Sequence, residues 1–120
     1  MKYMILTFGD QATMRETRSE EWIREMMQFM NRLNRDLEES GELVGAEGLA
    51  DASMAKTVRY QDGMAVPTDG PFAESKESLA GFWIIDVESE DRALEIAGRI
   101  VDFVKVPIEV RQIGDAPPEV

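Results

Sequence analysis

The chain has 120 residues, with 13 Lys and Arg against 24 Asp and Glu, and contains neither Cys nor His. That length fits one domain, spanning residues 1–120, which can bury a core without metal or disulfide. The absent side chains exclude thiolate or imidazole metal ligands, cysteine nucleophiles and serine–histidine triads, and the net charge of −11, with no basic stripe, opposes nucleic acid and anionic lipid as partners.

Lys2 to Phe8 reads as a strand, being too short and too uniformly apolar for an amphipathic helix. This run is also too short for a secretory signal, and no stretch approaches the ~18 apolar residues of a membrane span. A cytoplasmic protein is therefore expected. From Ser19 to Ser40 the residues Trp22, Met26, Phe29, Met30, Leu33 and Leu37 recur at helical steps. Ser19 is a good N-cap, Glu20 and Glu21 suit the positive end of the dipole, and Gly41 stops the helix. Strands follow near Leu43–Leu49 and Ala55–Tyr60, and Asp62-Gly63 marks a turn before a short extended piece, Met64 to Thr68. Ala80 to Glu88 is a strongly apolar strand. Ser89 caps a second helix with the stripe Ala93, Ile96, Ala97, Ile100, Val101 and Val104, and Val106 to Ile113 closes the chain as a strand. The tail 114–120, with Pro117 and Pro118, reads as irregular.

This order predicts an α+β fold: a ferredoxin-like βαββαβ subunit with an extra short hairpin strand, its antiparallel sheet carrying both helices on one face. The two strands at the sheet centre are nevertheless apolar on both faces. Met4, Leu6 and Phe8 oppose Tyr3, Ile5 and Thr7, and Phe82 and Ile84 oppose Trp83 and Ile85. A half-exposed sheet alternates apolar with polar, so a cover is needed, and a second copy packed sheet against sheet supplies it. A homodimer is expected; the alternative is a deep ligand groove on that face.

The segment Thr68 to Glu77 does not read as framework. Asp69 suits an Asx-type turn, Gly70 tolerates unusual torsions, and Pro71 stiffens the loop that presents Phe72 and a charged cluster. One reading is a well-built turn with a local pair between Lys76 and a neighbouring Glu. The other puts Asp69, Glu74 and Glu77 at a pocket mouth with Lys76 as counter-charge. Two of these carboxylates could split their pKa values and serve as acid and base, or the three acids could hold a hard cation such as Mg²⁺ or Ca²⁺. The run lacks the pattern of a calcium loop, so no metal is expected. Arg59 and Arg111 on strands could grip an anion, although such arginines more often pair with a neighbour such as Glu109. Tyr60 and Trp83 could stack on a ligand, although strand aromatics are usually core. Met26, Met27 and Met30 read as adaptable packing. No phosphate-loop or dinucleotide fingerprint occurs, and no cofactor is expected.

Met1 to Leu6, the Trp22 helix, Gly41-Glu42-Leu43, Glu47-Gly48-Leu49 and Thr57-Val58-Arg59 resemble the DGPF branch of the YCII-related proteins. So do Asp69-Gly70-Pro71-Phe72-Ala73-Glu74-Ser75-Lys76-Glu77, Gly81-Phe82-Trp83-Ile84-Ile85 and Ile108-Glu109-Val110-Arg111. The resemblance implies a dimeric α+β barrel of ferredoxin-like subunits. Some members of the wider group carry a His–Asp pair in a cleft; this chain has no His, so that dyad has no counterpart here. Members of this branch are often encoded beside extracytoplasmic-function sigma factors, which implies an accessory role in such a system. Two functions follow. The first is a small-molecule-binding or accessory protein with its ligand near Asp69, Phe72, Glu74, Lys76, Glu77, Trp83 and Arg111. The second is a His-free enzyme using Asp69 or Glu74 as acid or base on a small aromatic or enol-like substrate, with Lys76 or Arg111 stabilising an anion.

Overall fold

A computed structural model describes residues 1–71 and 78–114, at positions 11 and 12 by backbone alone. Strand β1 (Lys2–Phe8) leads through a short helix α1 (Gln11–Thr17) to the long helix α2 (Glu20–Glu39). Strand β2 (Leu43–Gly48), a 3₁₀ turn at Ala52–Met54 and the strands β3 (Lys56–Gln61) and β4 (Met64–Asp69) follow. Strand β5 (Leu79–Asp86), helix α3 (Glu90–Val104) and strand β6 (Glu109–Gln112) complete the order.

The helix ends are built as their residues require. Ser19 accepts a hydrogen bond from the Trp22 backbone N–H at 3.0 Å, and Ser89 accepts one from Arg92 at 3.2 Å. These caps satisfy donors that have no partner inside the helix. At the far end of α2, Gly41 takes a φ of +78°. There the N–H of Glu42 donates to Leu37 O at 2.8 Å and that of Gly41 to Glu38 O at 3.1 Å, the two bonds of a Schellman stop.

The main sheet runs β2-β5-β1-β6 and all its pairings are antiparallel. This α+β arrangement is compatible with a ferredoxin-like fold. Tyr3, Ile5, Trp83 and Ile85 on the central strands pack against Leu33 and Leu37 of α2 and Ile96 and Ile100 of α3 in one buried cluster. Phe29 stacks on Phe103 with ring centroids 5.0 Å apart, joining the two helices. On the opposite face Met4 pairs with Ile84 and Leu6 with Phe82, and all four are half-buried. Around them stand Glu47 opposite Phe82, Glu109 opposite Leu6 and Arg111 opposite Met4.

Three features depart from expectation. Helix α1 was not foreseen. The extra strands pair in full with each other, Lys56 opposite Asp69 through to Gln61 opposite Met64, and form a sheet of their own. Its turn is the expected Asp62-Gly63, both with positive φ, as a tight hairpin of right-handed twist requires. The radius of gyration is 16.8 Å, above the about 14 Å of a compact chain this long. Tyr60, expected in a core, lies on this hairpin 81% exposed, because β3 gains no cover from the helices. Finally, the last strand is shorter than expected, starting at Glu109 instead of Val106.

Arg92 of α3 grips Glu42 with Nε–Oε2 at 2.9 Å and Nη2–Oε1 at 2.8 Å, fastening α3 to the turn after α2. The Arg92 hydrogen bonds hold the Glu42 carboxyl below its ordinary value; burial opposes this and the Ser40 hydroxyl adds to it. A carboxyl lowered on folding stabilises the fold above its unfolded pKa of about 4.3, and that contribution disappears as pH falls through the folded value. Arg92→Met is therefore expected to cost about 1–2 kcal/mol near neutrality. Urea titrations over a pH series should show the difference from wild type shrinking towards zero under acid conditions.

Candidate functional site

Between the helical layer and the end of the sheet lies a cleft of about 760 Å³, within the range of small-molecule sites. Its roof is a second stripe of α2: Trp22, Met26, Met30 and Asn34, at four-residue steps beside the stripe that enters the core. From Trp22 to Asn34 the helix rises about 18 Å, which sets the length of the cleft. The floor is the end of the sheet, with Thr7, Ala46 and Trp83 on the helix-facing side. Helix α1, started by Asp10 accepting from the Thr13 hydroxyl at 3.1 Å, closes one flank with Met14 and Thr17. Val104, Val106 and Ile108 close the other.

The floor is open because two glycines face each other across it, Gly48 on β2 and Gly81 on β5. A Cβ at Gly81 would come within 2.9 Å of the Glu47 carbonyl oxygen, so this position takes only glycine without moving a strand. A Cβ at Gly48 meets nothing within 4 Å. Side chains alternate along a strand, so Phe82 and Glu47 direct theirs to the opposite face and give backbone to the cleft.

At the inner end the Trp83 indole N–H donates to Asn34 Oδ1 at 2.7 Å, which satisfies a buried donor and fixes both side chains. Thr7 donates its hydroxyl to Gly81 O at 3.2 Å, and Thr17 donates to Thr13 O at 2.7 Å. At the rim, the Arg18 guanidinium carbon sits 4.6 Å from the centre of the Trp22 ring, a cation–π distance.

Of the site residues read from the sequence, Trp83 lines this cleft. Asp69 ends β4 and pairs with Lys56 on the hairpin. Arg111 lies on the sheet face opposite Trp83 and pairs with Glu109 at 2.9 Å. These three are not brought together. Phe72, Glu74, Lys76 and Glu77 fall outside the described residues. Ser78, just after them, accepts a hydrogen bond from Gly9 at 2.9 Å, and Gly9 lines the cleft mouth. Arg18, Trp22, Asn34 and helix α1 were not anticipated as site components. Among the described residues no group of three or more acidic side chains is placed to hold a metal ion, and no helix is long and apolar enough to cross a membrane.

A helix-covered antiparallel sheet with a cleft of small-molecule size between its layers defines the chain as an α+β protein. The chain belongs to the YCII-related family, whose domain it matches over residues 1–114. It is 36% identical over 97 residues to an uncharacterised protein of Rhizobium meliloti (strain 1021), covering 81% of this chain and 77% of that one.

Proposed function

We propose that this protein is a small-molecule-binding or accessory member of the DGPF branch, holding one ligand per protomer in the cleft between α2 and the sheet. The cleft itself carries this reading. Its walls are largely apolar, a few polar groups converge at its two ends, and the Gly48–Gly81 pair keeps its floor clear. Ser78 bonds Gly9 at the mouth of this site, whereas Asp69 lies on the hairpin and Arg111 on the opposite face of the sheet. Two copies pack sheet against sheet as a dimeric α+β barrel. The apolar patch of Met4, Leu6, Phe82 and Ile84, rimmed by Glu47, Glu109 and Arg111, supports this because protein interfaces have an apolar centre and a polar rim.

A metabolite library screened by thermal shift tests the cleft. A ligand at a hundred times its Kd adds about 2.7 kcal/mol of stability, several degrees in Tm. Gly48→Leu, which fills the floor without a backbone clash, is expected to fold and to abolish the shift, with the ligand recovered unchanged from wild type. A hit whose shift survives Gly48→Leu but is lost in Asp69→Ala would move the site to the hairpin loop. Consumption of the ligand dependent on Asp69 would favour the enzyme reading.

A further inference from the structure

We propose that the ligand is an apolar carboxylic acid, its carboxylate held by Arg18 at the rim and its hydrocarbon body laid along Trp22, Met26 and Met30. This rests on the cleft reading above and adds the chemical class. The hydrogen-bond inventory of the cleft decides the class. The hydroxyl protons of Thr7, Thr13 and Thr17 are already donated to Gly81 O, Asp10 and Thr13 O. Asn34 has committed its oxygen to Trp83, leaving its NH₂ as a donor. Among the described lining residues the side-chain donors left uncommitted are Arg18, the Trp22 indole N–H and the Asn34 amide, and all three call for an acceptor.

Charge points the same way. Among the described residues that line the cleft, Arg18 is the basic one. It forms no ion pair within the described residues, and is held in place by the Trp22 ring. Of the two acids beside the cleft, Asp10 accepts the Thr13 hydroxyl's hydrogen bond at the start of α1, and Glu47 belongs to the opposite face of the sheet. A guanidinium fork matches a carboxylate bidentately. The thioether side chains of Met26 and Met30 adapt to a flexible hydrocarbon, and about 18 Å of helix between Trp22 and Asn34 accommodates a medium-length chain.

Isothermal titration of the full chain with octanoate, octanamide and octylamine separates the possibilities, since the three share a body and differ in the head group. Octanoate is expected to bind at least about tenfold tighter than octanamide, with octylamine weakest. In Arg18→Gln, a change at an exposed side chain, the preference for octanoate over octanamide should disappear. Octanamide or octylamine binding as well as octanoate, or an acid preference that persists in Arg18→Gln, overturns the carboxylate assignment and leaves the cleft standing. No binding by any of the three to wild type overturns the ligand class and leaves the cleft to the library screen, whereas equal octanoate binding to wild type and Gly48→Leu overturns the cleft reading and the ligand class with it.

Discussion

Phe82→Asp is expected to yield a particle of 13.5 kDa at concentrations where the proposed wild-type dimer would sediment as a pair. Phe82 lies opposite Leu6 at the centre of the sheet face that the helices leave bare. In the proposed dimer a carboxylate there would be stripped of water without a partner, at a cost of about 3 kcal/mol or more, roughly a hundredfold in the dimer constant. The monomer core lies on the other face, so the variant's far-ultraviolet circular dichroism should match wild type. Sedimentation equilibrium of both proteins at the same micromolar concentration checks this. Wild type sedimenting as a single chain would remove the sheet-to-sheet pairing.

Leu33→Ala carries the second large effect, this one on folding. Leu33 is 0% exposed and sits among Ile5, Leu37, Ile96 and Ile100, where both helices meet the sheet. Removing three carbons leaves a cavity whose walls are held by separate elements and cannot easily collapse. The expected loss is about 3 kcal/mol, or roughly 10 °C in Tm for a domain of this size. Urea unfolding should show a lower midpoint with an unchanged slope, because the surface exposed on unfolding is nearly the same. A loss below about 1 kcal/mol would mean that α2 presents another face to the core than the one described.

The framework was legible wherever a side-chain period and a stop signal coincided. Ser19 and Gly41 bracket α2, Ser89 opens α3, and Asp62-Gly63 turns the hairpin, each through a local backbone requirement that no distant contact overrides. Helix α1 carried no such period. Of its seven residues, Gln11 to Thr17, Met14 alone is strongly apolar, and its start carries a side-chain bond from Thr13 to Asp10 in place of a sequence period. The site was less legible than the fold for a related reason. Trp22, Met26 and Met30 look like core residues in sequence because a cleft wall and a core wall share the same apolar chemistry. What separates them is the next step of the stripe, where Asn34 interrupts an otherwise apolar row, and a polar residue there signals a partner to be bonded. Trp83 was a candidate from its aromatic type and does line the cleft. Asp69 and Arg111 drew attention through charge, which marks solvent-facing positions as readily as a binding site.

The chain has two tryptophans, and both border the same cavity: Trp22 beneath a guanidinium at the lip, Trp83 bonded to an amide at the floor. Its ultraviolet emission therefore originates at the two ends of that cavity. In Trp22→Phe the remaining fluorophore is buried and should emit to the blue; in Trp83→Phe the half-buried one should emit to the red and quench readily with iodide. The protein thus carries a built-in two-position optical gauge, able to report how far an entering molecule penetrates without any attached dye.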